Sequence, residues 1–169
     1  NIEKMQRLNA KVFYHTCDCT NGHDFSKLIR QIYKRFHKID GVIHGAGCLK
    51  DASIAQKTTA HFKQVLDTKV EGARILVREL DFETLEFIVF FSSVSGRFGN
   101  RGQADYAAAN EILNKMAVGL HHQWPGKVVS INWGPWEGEG MVSSQVRAQF
   151  IKAGVYLLPR DLGAQMLNR

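Results

Sequence analysis

The sequence predicts an α/β fold, a doubly wound parallel sheet, on three observations. Residues 87–91 (FIVFF) are apolar throughout with no alternation, as in a strand covered on both faces. Segments with helical apolar periodicity alternate with short apolar runs along the chain. The resulting order, strand–helix–strand–helix–strand–helix–strand, is that of parallel strands joined by helical crossovers.

The chain opens on a helix-like stretch. Residues 11–17 (KVFYHTC) read as the first strand, ending in the polar turn 18–22. A helix follows from Asp24, with Phe25, Leu28, Ile29, Ile32 and Phe36 on one stripe. Residues 41–45 form a short apolar strand that runs into Gly45-Ala46-Gly47, and a long helix covers about 59–80. After the strand 87–91, residues 103–121 are helical, and 127–132 form another strand stopped by Gly134-Pro135. Residues 137–159 mix glycine, serine and apolar side chains, which predicts a loop with a short helix; 160–168 predict one more helix. Without a repeat, a low-complexity segment or a linker, residues 1–169 are expected to form a single domain.

The 169 residues, 44% hydrophobic and 22% charged, suit one globular core. No apolar run reaches the roughly 18 residues that cross a bilayer. Residues 1–9 are polar with charges of both signs, unlike a signal peptide, so a cytoplasmic location without membrane contact is expected. The net charge of +6 raises the question of nucleic acid, but the cations are scattered. Lys27, Arg30, Lys34 and Arg35 sit on one helix, Arg97 and Arg101 elsewhere, and no clustered basic face predicts nucleic-acid binding. The spacing of Cys17, Cys19 and Cys48 fits no metal site, and none is expected.

Three constellations carry chemistry. Lys69 falls inside the apolar stripe Phe62, Val65, Leu66, Ala73, Leu76 and Leu80, where an ammonium is costly unless it is paired or faces a cleft. A snorkelling side chain is the structural alternative. Ser92-Ser93-Val94-Ser95-Gly96 follows the buried strand directly, and ligands of doubly wound sheets bind at the strands' carboxyl ends. Phe91 stands two residues before Ser93 and Ser95 two after, so the glycines of a hydrolase nucleophile elbow are absent. Tyr106 and Asn110, four apart at a helix head, share one face. Carbonyl reduction needs a proton donor as hydride arrives, and a phenol can serve. A nearby ammonium lowers its ordinary pKa near 10, and a serine hydroxyl can hold the carbonyl oxygen.

Gly102-Gln103-Ala104-Asp105-Tyr106-Ala107-Ala108-Ala109-Asn110 resembles the catalytic segment of the short-chain dehydrogenase/reductase family, which has a Rossmann-like fold. More narrowly it is similar to the ketoreductase domains of polyketide and polyunsaturated fatty acid synthases. Most members of the wider family carry lysine four residues after the tyrosine; here Asn110 stands there, and Lys69 matches the lysine that synthase ketoreductases supply from the preceding helix. The resemblance implies Tyr106, Ser93, Lys69 and Asn110 as catalytic residues. It implies Asp18, His44, Gly45, Ala46 and Gly47 on the adenosine side of the cofactor NADPH. Asn132, Gly134 and Pro135 would pass the nicotinamide, and Met141 would begin the substrate lid.

The resemblance further implies an acyl carrier protein with a phosphopantetheine-bound β-ketoacyl substrate, and other synthase domains, as partners. Leu49-Lys50-Asp51 resembles the Leu-Asp-Asp motif of ketoreductases that set a 3R hydroxyl, with Lys50 in the middle place; Phe98 stands where the opposing class has tryptophan. A stand-alone reductase of another carbonyl, or a non-catalytic fragment, are the alternatives.

One departure matters. The family's first βα unit with its Gly-x-Gly-x-x-Gly phosphate loop has no counterpart here, so the domain is expected to be incomplete at its N-terminus and at its C-terminus. Pyrophosphate capture at a helix N-terminus goes with that unit. The 169-residue chain alone is therefore expected to bind NADPH at least about 100-fold more weakly than an intact domain. Titration of both checks this; equal affinities would refute it.

Overall fold

The computed structural model describes residues 2–138, 144–152 and 154–167. A three-stranded parallel sheet of order β1-β2-β3 is formed by Gly41–His44, Phe87–Ser93 and Lys127–Trp133. Register runs Ile43↔Val89↔Val129 and His44↔Phe90↔Ser130. Helices α1 (Ile2–Arg7) and α2 (Gly22–Phe36) precede β1, and α3 (Thr59–Glu79) joins β1 to β2. A short α4 (Val94–Phe98) and a long α5 (Ala104–Gln123) join β2 to β3; α6 (Ser144–Lys152) and α7 (Arg160–Leu167) follow.

Right-handed crossovers in a sheet that advances in one direction put α3 and α5 on the same face, and α2 packs beside α3. The core lies between this helix layer and the sheet. Ile29, Ala73, Ile75, Leu76, Leu80, Ile88, Phe90, Leu113 and Ala117 are all buried there. Trp124 closes the amino end, its indole N–H donating to the Phe82 carbonyl at 2.8 Å. Helices α2 and α3 begin on side-chain caps: Asn21 accepts from the Asp24 N–H at 3.2 Å and Thr58 from the His61 N–H at 3.1 Å.

Two expectations need correction. Residues 11–17 form no strand: Phe13 is 47% exposed and packs on Phe36 at 5.2 Å, and Tyr14 is 73% exposed. A strand exists only where a neighbour supplies its ladder, and β1 pairs only with β2 among the described residues. The second concerns residues 87–91. Ile88 and Phe90 are sealed under the helices, whereas Phe87, Val89 and Phe91 on the other face are half-buried and the adjoining Ile43 is 55% exposed. The apolar run thus shows both faces to be hydrophobic, but among the described residues one face carries the helix layer. In the C-terminal part, residues 137–159 do hold a short helix, and a parallel bridge between Trp136 and Leu158 returns the chain to the end of β3.

Gly96 fixes how closely α4 meets α5. A Cβ there would stand 2.9 Å from the Asn110 Cβ and 2.9 Å from the Glu111 backbone nitrogen. Glycine to alanine inside a helix usually helps by up to about 1 kcal/mol. Here the sign reverses, because backbone must move: Gly96→Ala is expected to cost about 1–3 kcal/mol. Thermal unfolding measures this, and an unchanged or raised melting temperature would contradict the close packing.

Candidate active site

At the carboxyl ends of β1 and β2, four of the residues singled out in sequence meet. Lys69 lies on the buried stripe of α3 with Val65, Gly72, Ala73 and Leu76, and only 3% of it is exposed. Its ammonium donates to the Phe91 carbonyl at 2.9 Å and lies 5.5 Å from the centroid of the Tyr106 ring. Burial pulls its pKa down to about 8, opposed by the Cys48 thiol's negative form. At neutral pH most of the ammonium charge remains. Its backbone carbonyl, meanwhile, is 2.8 Å from His44 Nε2. A carbonyl only accepts, so that ring nitrogen carries the proton, and burial keeps the imidazole below its usual pKa. His44 therefore ties α3 to the end of β1 at the residue bearing the ammonium.

Ser93 ends β2 and caps α4, its hydroxyl oxygen accepting the Ser95 N–H at 3.2 Å. The hydroxyl proton faces the Tyr106 phenol, whose pKa this hydrogen bond lowers. Tyr106 occupies the first turn of α5, and Asn110 is completely buried one turn later. The Asn110 amide nitrogen donates to the Tyr106 carbonyl at 2.7 Å, while its buried Oδ1 has no partner among the described residues. Ser92 donates to the Asn110 carbonyl at 3.0 Å, locking that turn to β2. Burial raises the Tyr106 phenol pKa, hydrogen bonds from Asn110 and Ser93 lower it, and the Asp51 charge raises it further.

The phenol thus lies above its ordinary value, and the depression expected from Lys69 is not reached. The cause is burial, which outweighs the bonds from Asn110 and Ser93; the ammonium itself donates to the Phe91 carbonyl and lies over the tyrosine ring. The phenol holds its proton at neutral pH, and the ammonium's field acts once a phenolate forms.

The other predicted residues are placed as follows. Asp18 is exposed before α2, where its carboxylate accepts the Thr20 N–H and hydroxyl, each at 2.8 Å. Gly45 is exposed at the end of β1, with Ala46 and Gly47 half-buried beyond it. Asn132 projects from β3 toward α5, accepting from Ser92 at 3.2 Å and from Asn114 at 3.0 Å. Gly134 and Pro135 follow β3, and a Cβ on Gly134 would meet nothing within 4 Å. Asp51 accepts from the Gln103 amide at 3.0 Å. Phe98 ends α4 with 84% of its surface exposed. Met141 lies outside the described residues.

Sequence reasoning missed a second polar layer. Lys57 and Asp105 form an ion pair at 2.7 Å with side chains 5% and 1% exposed. Gln103 links Asp51 to Ser95, accepting from that hydroxyl at 3.2 Å. Asp105 reads in sequence as an ordinary first-turn acid, and nothing around Lys57 marks it. Among the described residues no group of three or more His, Cys, Asp or Glu could hold a metal ion, and no helix is long and apolar enough to cross a membrane.

Known proteins resemble this chain along its length. The family model described as KR domain matches residues 1–138. The chain is 37% identical, over its whole length, to a polyunsaturated fatty acid synthase polypeptide of Thraustochytrium sp., of which it spans 6%. It is 32% identical over 98% of its length to polyketide synthase PksN of Bacillus subtilis, of which it spans 3%. Among solved structures, a ketoreductase from the first module of phoslactomycin biosynthesis in a Streptomyces species superposes with TM-score 0.89 at 32% identity, over 97% of this chain and 37% of that one. A ketoreductase domain from the bacillaene assembly line gives TM-score 0.86 at 34% identity, over 98% and 42%. The chain belongs to the KR domain family, the ketoreductase domains of polyketide and polyunsaturated fatty acid synthases.

Proposed function

We propose that this chain forms the reductive centre of a domain that converts a β-ketoacyl thioester on an acyl carrier protein to the β-hydroxyacyl thioester, with NADPH as reductant, inside a multidomain synthase. The convergence of the Lys69 ammonium and the Tyr106 ring, 5.5 Å apart at the sheet's carboxyl end, is the observation that carries it. The same end of the sheet suits a flat cofactor. Gly134 offers backbone with open space over it, and a Cβ on Gly45 would meet only the Phe91 ring, at 3.5 Å. Gly45, Ala46, Gly47, Gly134 and Pro135 would line the cofactor by backbone, with Asp18 toward its adenine. A nicotinamide dinucleotide, when bound there, supplies hydride.

The side chains supply the rest. Tyr106 gives its phenolic proton to the carbonyl oxygen, and the Ser93 hydroxyl donates a hydrogen bond to the same oxygen, holding it by the phenol. Lys69 stabilises the phenolate left behind. Asn110 fixes the turn that presents Tyr106, and its unpartnered Oδ1 can accept from water that returns the proton. His44, turned onto the Lys69 carbonyl, holds α3 in register with β1. In an intact domain, oxidation of NADPH with stoichiometric formation of the β-hydroxyacyl thioester tests this. Failure of the wild-type domain to reduce any β-ketoacyl thioester would count against it.

A further inference from the structure

We propose that Lys57 is a positioning residue of this site, its ammonium fixing the loop that carries Asp51 against the head of the helix that carries Tyr106. The inference rests on the reductase assignment above. One nitrogen grips two places: Lys57 Nζ donates to the Lys50 carbonyl and to Asp105 Oδ2, each at 2.7 Å. Lys50 immediately precedes Asp51, and Asp105 immediately precedes Tyr106. The other Asp105 oxygen accepts the Tyr106 N–H at 2.9 Å. A single ammonium thus bridges the loop and the first turn of α5.

Two weaker ties run parallel to it. The Ala52 N–H donates to the Gly102 carbonyl at 3.0 Å, and Gln103 donates to Asp51 at 3.0 Å. Neither is a desolvated ion pair, whereas Lys57 and Asp105 are almost wholly removed from water. An ion pair buried in this way adds little net stability compared with apolar residues of the same volume, but it has direction and fixed partners. That favours placement over stability as its purpose. The clamped loop carries Asp51, whose charge reaches the Tyr106 phenol, so it would wall a substrate held there. A planar ketone can offer either face to hydride, and a wall held at fixed distance selects one.

The test compares the intact wild-type domain with Lys57→Met, Lys57→Arg and the double variant Lys57→Met/Asp105→Leu. The probe is the β-ketobutyryl thioester of N-acetylcysteamine. Lys57→Met is expected to erode the enantiomeric ratio of the product at least about tenfold, with Lys57→Arg recovering most of it. The double variant, which leaves no buried charge unpaired, is expected to regain the wild-type melting temperature but not the ratio. Recovery of both together, or an unchanged ratio in a folded Lys57→Met protein, overturns the positioning role. Hydrogen exchange at the Ala52 amide reads the clamp without turnover: it should quicken about tenfold or more in both Met variants, and unchanged exchange also overturns the role. Quickened exchange in a domain whose wild type is inert toward the thioester would instead sink the reductase assignment, and the positioning role with it.

Discussion

Replacing Tyr106 by phenylalanine in the intact domain is expected to slow ketone reduction by about 10²- to 10⁴-fold, the range a positioned general acid supplies. The change deletes one oxygen. Phenylalanine keeps the ring over which the Lys69 ammonium sits, and the backbone bonds that seat this turn, from Tyr106 N–H to Asp105 and from Asn110 to the Tyr106 carbonyl, are untouched. Fold and cofactor affinity should therefore survive, with a dissociation constant for NADPH within about twofold of wild type, a difference under about 0.5 kcal/mol. Turnover within about tenfold of wild type would mean that another group delivers the proton.

Lys69→Met should cost nearly as much activity, at least about 10²-fold, and its pH behaviour separates it from a packing defect. The ammonium titrates at about 8 because it is buried. The charged form is the useful one, so wild-type reduction should decline as pH rises through about 8, and the limb should vanish in the variant. Stability runs the other way. The folded pKa lies below the ordinary lysine value of 10.5, so the unfolded chain holds the proton more tightly between about 8 and 10.5, and folding is penalised most below that window. Wild type should thus gain stability relative to Lys69→Met as pH rises from about 8 to about 10. At neutral pH the variant should melt no lower than wild type, having shed a buried charge. Thermal melts across this range check the sign, and a wild-type advantage that shrinks with rising pH would contradict the burial of an ammonium.

These two residues are legible in the sequence for local reasons. Lys69 interrupts an apolar stripe, and a charge inside a stripe must either leave it or be held there for a reason. Tyr106 and Asn110 sit four apart at a helix head, and Ser92-Ser93 follows an apolar run, but their meeting at one site is what the family resemblance implies rather than what spacing shows. The helices are legible for local reasons as well: periodicity is a property of one segment. What escapes depends on pairs of distant segments. The ladder that residues 11–17 would need is a relation to another strand. Lys57 and Asp105 lie 48 positions apart, and neither carries a local mark of its burial. Helix α4 has five residues, too few to show a period. The inward turn of His44 becomes visible only once α3 brings the Lys69 carbonyl to it.

Where a ketone's oxygen binds decides the assignment. A structure of the intact domain with oxidised cofactor and a bound β-ketoacyl thioester should place that oxygen within about 3 Å of both the Tyr106 phenol and the Ser93 hydroxyl, the reach of a proton transfer. The Lys69 ammonium should remain beneath the tyrosine ring. An oxygen held by other groups, with Tyr106 more than about 5 Å away in an ordered complex, would contradict the assignment.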